Sequence, residues 1–477
     1  MSLPFAPLVG ILFGLVQALG VLAAVEAIFK ARTPQGAVAW SISLICLPAL
    51  SLPFYLVFGG RKFHGYVARR RESLEPLHAL ADQVRKRELS PNVRGLDDPD
   101  ESLLAVERLA RMPFTRKNSA HLLINGDATF AAILEAIAEA NDYVLAQFYI
   151  IHDDGLGRRF RDALLAARGR GVRVYLLHDS IGSHGLPSAY LKSLRSAGVN
   201  VAAFGMGRRA HRFQINFRNH RKIVVVDGRT AFVGGHNVGD EYLGLDPALS
   251  PWRDTHVAIE GPAALCVQHA FLEDWNAMSN QEVTVTWTPT EMREGHENIL
   301  IVPTGPADEL DSCALLFTHL INRAKRRIWI VSPYFVPDDG VICALQLAAL
   351  RGVDVRILLP ARADHRLVYL ASFACLEDTI PYGIRVFRYT SGFLHQKVVL
   401  VDDDLAGVGT ANFDNRSFRL NFEITALFFQ GTMPGAVRDM LALDFERARE
   451  SRLDEIQERP LWFRAASRAA NLAAPVL

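Results

Sequence analysis

The 477-residue chain has almost no net charge, with 52 basic and 51 acidic side chains. A protein that binds nucleic acid by neutralising phosphates usually carries a basic excess, so this balance disfavours a nucleic-acid partner. The five cysteines form no C-x-x-C pair, which disfavours structural zinc and a disulfide framework and favours a reducing compartment. Half of the residues are apolar, which excludes global disorder.

Charge is scarcest at the N-terminus, where residues 1–60 carry three charged side chains, Glu26, Lys30 and Arg32. Two mostly apolar stretches, 7–29 and 37–58, are each long enough to cross a bilayer as a helix. The short join contains Pro34, so we expect an antiparallel transmembrane hairpin. No Lys or Arg precedes the first stretch, which disfavours a cleaved signal peptide. Two buried core helices are the alternative.

The basic residues that flank these stretches predict their orientation. The join has two basic side chains, whereas a larger cluster follows the second stretch: Arg61, Lys62, Arg69, Arg70 and Arg71. The positive-inside rule therefore puts the N-terminus and the large C-terminal part in the cytoplasm. We assign residues 1–60 to the two spans and residues 61–115 to a charged connector.

The remaining chain repeats one order of elements. In residues 116–290 we predict helices at 128–141, 157–169 and 188–197 that alternate with strands at 143–151, 172–177 and 199–204. In residues 291–477 the corresponding helices are 309–325, 340–350 and 365–378, with strands at 328–335, 353–359 and 384–387. Such alternation predicts an α/β fold of two similar lobes, each with a mostly parallel sheet covered by helices.

Both lobes contain the motif H-x-K-x4-D. The first copy has His220, Lys222 and Asp227, and the second has His395, Lys397 and Asp402. An asparagine follows each histidine by seventeen residues, at Asn237 and Asn412. One copy is expected by chance about 0.01 times in a chain of this composition, so two matched copies indicate a functional duplication.

The two motifs together offer two histidines, two lysines and two asparagines, a set that suits a phosphodiester. Lys222, Lys397, Asn237 and Asn412 could stabilise charge on the non-bridging oxygens. One histidine could attack phosphorus while the other protonates the leaving alkoxide. The chain has 44 arginines and only eight lysines, so two lysines at matched positions indicate a need for a compact ammonium. We expect no metal or other cofactor, because the nearby lysine would repel a cation and the sequence has no H-E-x-x-H motif or carboxylate triad.

Carboxylates should orient the catalytic histidines. Asp254 and Glu423 occupy equivalent positions downstream of the two motifs and are our candidates for that role. Asp227 and Asp402 belong to the motif and are candidate catalytic residues. Their neighbours Gly228 and Asp403 are typical of hairpin turns, however, so a turn or scaffold role is the alternative that we weigh more heavily.

The doubled motif resembles that of the phospholipase D superfamily, and in particular its bacterial cardiolipin synthase branch. Further segments of the branch are found at 179–183, 333–338, 389–397, 412–417 and 420–423, and the N-terminal hairpin and the final three residues also fit. The resemblance covers essentially the whole chain. One departure is His236, where an apolar or small residue is expected; we interpret it as a local variation and not as a third catalytic histidine.

The resemblance implies two phospholipase D-like lobes packed as a pseudo-twofold pair behind the hairpin, in a bacterial cytoplasmic membrane. It also implies the condensation of two phosphatidylglycerol molecules to cardiolipin and glycerol through a phosphohistidine, without a metal. His220 is the nucleophile and His395 the acid/base in that pattern, although the repeat makes this assignment reversible. A phosphodiesterase on other phospholipids, a nuclease and an inactive lipid-binding scaffold are the alternatives. The sequence does not indicate an oligomeric state.

Overall fold

The computed structural model describes residues 5–31, 33–59, 96, 100–205, 216–279 and 281–476. The chain divides into two compact units, one made of residues 1–68 and 205–217 and the other of residues 69–204 and 218–477. The basic cluster at 61–71 and most of the predicted connector lie outside the described residues, so their predicted roles stay predictions.

The first unit contains the helices α1 (Phe5–Lys30), α2 (Pro34–Cys46) and α3 (Pro48–Phe58). By length and composition, one described helix could cross a membrane, over residues Val9–Lys30. The second predicted span is divided between α2 and α3. Leu47 leaves the helical conformation and Pro48 has no N–H to continue the hydrogen-bond ladder, which separates the two helices. The number of spans therefore stays a prediction.

The helices of the first unit pack closely where small residues meet. A Cβ on Gly20 would lie 2.4 Å from the carbonyl oxygen of Leu44, so only glycine allows α1 to approach α2 at this point. The Gln17 side chain donates a 2.8 Å hydrogen bond to the Ile45 carbonyl. This bond provides a partner for the one amide side chain within the apolar part of α1.

The first α-helix described in the second unit is α4 (Leu104–Ala110), and each half of the unit then has its own helices and strands. The helices of the first half are α5 (Asn125–Glu139), α6 (Gly155–Gly169), α7 (Ser188–Ser196) and α8 (Ala263–Met278). Its strands are β1 (Thr115–Ile124), β2 (Tyr143–Phe148), β3 (Arg173–Asp179), β4 (Asn200–Phe204), β5 (Arg218–Asn219), β6 (Ile223–Val226), β7 (Thr230–Gly234), β8 (Trp252–Arg253) and β9 (Thr255–Glu260).

The second half repeats this order. Its helices are α9 (Ser312–Arg323), α10 (Asp339–Leu350), α11 (Arg366–Glu377), α12 (Asn415–Arg419), α13 (Met433–Glu446), α14 (Leu453–Gln457) and α15 (Leu461–Asn471). Its strands are β10 (Glu297–Thr304), β11 (Arg327–Val331), β12 (Phe335–Val336), β13 (Asp354–Pro360), β14 (Arg385–Tyr389), β15 (Phe393–Leu394), β16 (Val398–Val401), β17 (Leu405–Gly409), β18 (Phe413–Asp414), β19 (Asn421–Phe429) and β20 (Ala448–Glu450).

One continuous sheet joins the two halves in the order β20-β14-β13-β11-β16-β17-β19-β10-β1-β9-β7-β6-β2-β3-β4. From the β10–β1 pair outward, both halves have the same succession: a long strand, the hairpin that carries the motif, and three strands separated by helices. Each half also has its own cluster of buried apolar side chains. The predicted repeat is therefore visible as two matched halves of a single sheet.

The prediction of a mostly parallel sheet is wrong. Parallel pairing occurs in β2-β3-β4 and in β11-β13-β14, where helices connect the strands. The motif strands return through tight turns after Asp227 and Asp402, which makes β6–β7 and β16–β17 antiparallel. The central strands β1, β9, β10 and β19 also pair antiparallel, so the sheet is mixed.

Candidate active site

The motif histidines and lysines lie just before strands and not within them. His220 and Lys222 precede β6, and His395 and Lys397 precede β16. A regular strand would put residues two apart, such as each His–Lys pair, on one face, and this segment differs from that geometry. The difference arises because the backbone of this segment bonds to the opposite half of the sheet.

Two short parallel strand pairs connect the halves at this point. β5 pairs with β19, and β15 pairs with β8. The N–H of His220 donates to the Phe422 carbonyl at 2.9 Å, and the N–H of His395 donates to the Arg253 carbonyl at 2.8 Å. Each histidine therefore lies beside the residue that precedes the candidate acid of the other half.

The two candidate acids contact the histidines in a crossed arrangement. Nδ1 of His220 lies 2.9 Å from Oε2 of Glu423, 203 residues away in the second half. Nδ1 of His395 lies 2.7 Å from Oδ2 of Asp254, which belongs to the first half. Both carboxylates are completely buried. A carboxylate on Nδ1 selects the tautomer whose Nε2 is free to accept a proton or to attack an electrophile.

Both lysines turn back towards their own histidine. Nζ of Lys222 donates to the His220 carbonyl at 2.7 Å, and Nζ of Lys397 donates to the His395 carbonyl. Nζ of Lys397 is also 3.1 Å from Nε2 of His395. A positive charge is therefore held next to the ring nitrogen from which chemistry would start.

Burial keeps both histidines neutral near pH 7. It lowers the pKa of His220, although the Glu423 carboxylate acts in the opposite direction. Burial and the charge of Lys397 together lower the pKa of His395 to about 4. A neutral imidazole is the form that can act as a nucleophile or as a base.

The charges of the two motifs influence each other. Burial lowers the pKa of Lys222 well below its usual value, and it lowers the pKa of Lys397 to about 8, against the pull of Asp254 and Glu423. The charge of Lys397 also reaches His220 and Lys222. The structure therefore brings both motifs into one electrostatic site.

The two asparagines differ in their contacts. Oδ1 of Asn237 accepts from the Ile150 N–H at 3.1 Å, and its amide donates to the Tyr242 hydroxyl at 2.9 Å. Oδ1 of Asn412 is buried and has no hydrogen-bond partner within the part of the chain that the structure describes. Of the two, Asn412 has the freer amide, so the matched roles that the sequence predicted do not correspond to matched geometry.

The motif aspartates bind backbone amides. The Asp227 carboxylate accepts from the N–H groups of residues 141, 142 and 143 at 2.8–2.9 Å. The Asp402 carboxylate accepts from those of residues 325, 326 and 327 at 2.7–3.2 Å. Both residues have a φ of 52°, which fits a tight turn. This geometry favours the scaffold role over the catalytic role for both aspartates.

Aromatic rings that the sequence analysis gave no role enclose the histidines. The ring of Tyr149 meets that of His220 edge-on, with centroids 5.2 Å apart, and Nζ of Lys222 lies 5.6 Å from the Tyr149 centroid. Trp252 lies 4.9 Å from the His395 ring. Tyr149 follows β2 within the predicted strand 143–151 and Trp252 comes two residues before Asp254, so sequence position alone could have suggested them.

Two buried ion pairs lie next to the candidate acids Glu423 and Asp254. Arg221 pairs with Asp274 at 3.0 Å and donates from Nε to the Glu423 carbonyl at 3.0 Å. Arg253 pairs with Asp444 at 2.7 Å. Sequence reasoning missed these pairs because arginines and aspartates are common in the chain and their partners lie on distant helices.

His236 lies in the interior next to His256, with their Nδ1 atoms 3.3 Å apart. Burial lowers the pKa of His236 to about 4, and it lowers that of His256 well below the usual value. Both imidazoles are therefore neutral at pH 7. Among the residues that the structure describes, no group of three or more His, Cys, Asp or Glu side chains could hold a metal ion.

Comparison with known proteins gives consistent matches. The family model described as "Cardiolipin synthase, PLD-like domain" matches residues 133–275 and 317–441. Cardiolipin synthase A of Pseudomonas putida is 47% identical over 471 residues, which cover 98% of both chains. Cardiolipin synthase A of Pseudomonas fluorescens is 48% identical over 96% of both chains.

Solved structures share the fold at low sequence identity. A phosphatidylserine synthase from Haemophilus influenzae superimposes with a TM-score of 0.59 at 14% identity, over 79% of this chain and all of that one. A polyphosphate kinase from Porphyromonas gingivalis superimposes with a TM-score of 0.50 at 12% identity, over 75% of this chain and 54% of that one. At such identities the likeness concerns the fold alone.

Proposed function

Since the chain belongs to the cardiolipin synthase family of phospholipase D-like proteins, we propose that two phosphatidylglycerol molecules react in its crossed histidine site to give cardiolipin and glycerol. The protein is a phospholipid phosphatidyltransferase and a membrane-associated bacterial enzyme. The observation that carries the proposed chemistry is the pair of buried histidines, each held at Nδ1 by an acid of the other half.

The first half-reaction forms a phosphohistidine. Nε2 of His220 attacks the phosphorus of one phosphatidylglycerol, the bond from phosphorus to the glycerol oxygen breaks, and His395 gives a proton to the departing glycerol. His395 must be protonated for this step, although its pKa in the empty site is about 4. The negative charge of an incoming phosphodiester would raise that pKa.

The second half-reaction reverses the proton transfer. A free glycerol hydroxyl of the second phosphatidylglycerol attacks the phosphohistidine, and His395 takes the hydroxyl proton. The bond from phosphorus to His220 breaks as the new phosphodiester forms, so His220 returns to its starting state. The exchanged roles, with His395 as nucleophile, are the alternative that the matched geometry suggests.

Charged and polar side chains would stabilise the phosphoryl group during both steps. We assign this role to Lys222, Lys397 and Asn412. Both lysines lie beside the reacting imidazoles, and the Asn412 amide, whose Oδ1 has no partner among the described residues, can turn its NH2 group, the donor, towards the phosphoryl oxygens. Asn237 would act mainly by positioning, since both ends of its amide are occupied. Asp254 and Glu423 would fix the histidine tautomers.

We also assign a membrane arrangement to the chain. The helix α1 would form one span and α2 with α3 the other, so that both ends of the hairpin lie in the cytoplasm. The apolar run over Val9–Lys30 supports the first span, and the basic residues at 61–71 support the orientation. The two halves of the second unit would be related by a pseudo-twofold axis, as their matched strand order suggests.

Lipid product analysis tests the reaction. The purified full-length protein is reconstituted in phosphatidylglycerol vesicles, and cardiolipin and glycerol should form in equal amounts. His220→Ala should abolish both products, whereas His184→Ala, at an exposed surface position, should not. Phosphatidic acid as the sole lipid product would indicate a phosphodiesterase, and no turnover would contradict both enzymatic functions.

A chemical trap tests which histidine is the nucleophile. With phosphatidylglycerol labelled in its phosphate, rapid denaturation of the working enzyme should leave an acid-labile, alkali-stable label on the protein. Peptide mapping should place the label on His220. A label on His395 would establish the exchanged roles, and cardiolipin formation without any labelled protein would contradict the covalent route.

A further inference from the structure

Large apolar side chains are exposed on several neighbouring elements of the second half. The two most exposed large apolar side chains described in the second unit are Leu472 at 84% and Leu461 at 81%, and Leu350 and Trp462 follow at 72% and 70%. Leu347, Leu367 and Tyr382 are also exposed. We call the seven side chains together the apolar face: Leu347, Leu350, Leu367, Tyr382, Leu461, Trp462 and Leu472.

The elements that carry the apolar face are in direct contact. The helix α15 packs on α11, where the rings of Phe463 and Phe373 lie 5.1 Å apart and the Ser467 hydroxyl donates to the Leu370 carbonyl at 2.7 Å. The turn at Ile380–Tyr382 lies against both α10 and α11. The seven side chains therefore lie on adjoining elements of one lobe.

The duplicated fold provides an internal comparison. The helix α6 occupies in the first half the position that α10 occupies in the second, since each connects two parallel strands. It carries four arginines and an aspartate, and neither α6 nor α7 exposes a large apolar side chain. From residue 340 to residue 350, α10 has no charged side chain, and it exposes Leu347 and Leu350. The shared fold therefore does not require an exposed apolar helix here.

We propose that the apolar face is an interfacial membrane-docking surface that lies in the head-group layer of the bilayer. Tryptophan and leucine next to basic residues are typical of segments that lie in this layer. Arg362, Arg366 and Arg459 flank these elements in sequence and form no ion pair with a residue that the structure describes, but Arg459 lies 5.2 Å from the centroid of the Phe463 ring and the exposed acids Asp378 and Glu458 flank the same elements. The apolar side chains, and not a net charge, are therefore what would hold this surface in the head-group layer.

The position of α11 connects this surface with the catalytic site. The helix begins at Arg366, directly after Asp364 and His365, and the charge of Asp364 acts on both His395 and Lys397. At the other end of α11, Glu377 contacts Arg464 and Arg468 of α15, which holds the two helices together. Docking would thus keep the candidate active site close to the lipid phosphates, so that a lipid need not leave the membrane to react.

Depth measurements on the full chain test the docking directly. The exposed cysteines Cys46 and Cys343 are replaced by serine, and a fluorophore is attached to a cysteine introduced by Trp462→Cys or Leu350→Cys, with the same protein lacking the new cysteine as background. Arg159→Cys, on the exposed side of α6, is the matched control. In phosphatidylglycerol vesicles, bromine on the upper acyl chain should quench the first two labels at least twofold more than the control.

Equal quenching at all three positions would overturn the proposal. Two further results would also overturn it. In one, the quenching of the first two labels disappears when the protein is diluted in lipid; in the other, two copies of the Trp462→Cys variant form a disulfide efficiently. Either result would assign the face to a contact between copies. The quenching does not depend on catalysis, so it can succeed even if the proposed reaction fails.

An activity measurement tests whether docking matters for the reaction. This second test rests on the proposed function. The double variant Leu350→Glu with Trp462→Glu should lose about five- to tenfold in rate on phosphatidylglycerol in vesicles and keep its rate on short-chain phosphatidylglycerol dispersed in detergent. Leu245→Glu, at an isolated exposed leucine of the first half, should change neither rate. An unchanged vesicle rate in the double variant would overturn the proposal.

Discussion

Gly235 leaves the space that the carboxylate of Asp254 occupies. A Cβ on Gly235 would lie 2.0 Å from Oδ1 of Asp254, far below any normal contact. Oδ2 of the same carboxylate lies 2.7 Å from Nδ1 of His395. The glycine before His236 and Asn237 thus has a definite physical role, because it lets the Asp254 carboxylate, the candidate orienting acid of His395, approach the returning backbone.

Gly235→Ala should therefore impair catalysis without removing a catalytic side chain. Displacing Asp254 by about 1 Å would misplace His395 and lower kcat about 100-fold. The measurement is the steady-state rate on phosphatidylglycerol, together with Tm. Gly169→Ala is the matched control, since a Cβ there meets no atom within 4 Å. A normal rate in Gly235→Ala would contradict the orienting role of Asp254.

Asp227→Asn should affect stability more than activity. Asparagine tolerates the positive φ, but its amide cannot accept all three backbone N–H bonds that the carboxylate accepts. We expect a loss of about 1–3 kcal/mol, measured as a decrease in Tm, and a kcat of the folded enzyme within about twofold of wild type. Asp162→Asn, on the exposed surface of α6, should change neither quantity. A large fall in kcat at unchanged Tm would instead indicate direct chemistry.

The rate should fall in alkaline solution. Burial lowers the pKa of Lys397 to about 8, so above that pH the ammonium beside His395 loses its proton and its charge. The profile of kcat/KM, which reports the free enzyme, should decline above about pH 8. Lys397→Arg should reduce the rate and weaken this decline, leaving the part that comes from Lys222, whereas Lys192→Arg, on the surface helix α7, should leave the profile unchanged. A wild-type profile that stays flat to about pH 9.5 would contradict this role.

Mild acid should destabilise the protein through His236. Its pKa is about 4 in the folded state and near 6.5 when unfolded, so between these values the unfolded chain binds the extra proton. Stability therefore falls as pH decreases from 6.5 to 4, by about 2 kcal/mol at pH 5 for this residue. Tm measured at pH 7 and pH 5 should differ less in His236→Asn than in wild type. The surface variant His184→Asn should behave like wild type, and an unaltered difference in His236→Asn would refute the effect.

Features with strong local signals could be predicted from the sequence. The helices α6, α7, α10 and α11 lie within a few residues of their predicted positions, because each alternates with a short apolar strand and ends near a glycine. The strands β1 and β10 at the centre of the sheet were not predicted. β1 is mostly polar or half-buried and is paired on both edges, so its alternation is too weak to identify it.

The direction of strand pairing was harder to predict than the strands themselves. Helix–strand alternation suggested parallel pairing, which holds only where a helix connects the strands. The turns at Asp227 and Asp402 make the motif hairpins antiparallel, and the two central strands join the halves into one sheet. Which strands become neighbours depends on contacts between distant segments, and these leave no periodic signal.

The sequence by itself determined the repeated motif with its two histidines and two lysines, because the motif spacing is local and occurs twice, and it predicted Asp254 and Glu423 as the candidate acids. Only the tertiary structure decided that each acid serves the histidine of the other half, at Glu423 to His220 and Asp254 to His395. It also left Oδ1 of Asn412 without a partner among the described residues, whereas both ends of the Asn237 amide are hydrogen-bonded. The physical reason is that these contacts are made by strand pairs between the halves, β5 with β19 and β15 with β8, over sequence distances that no local pattern spans.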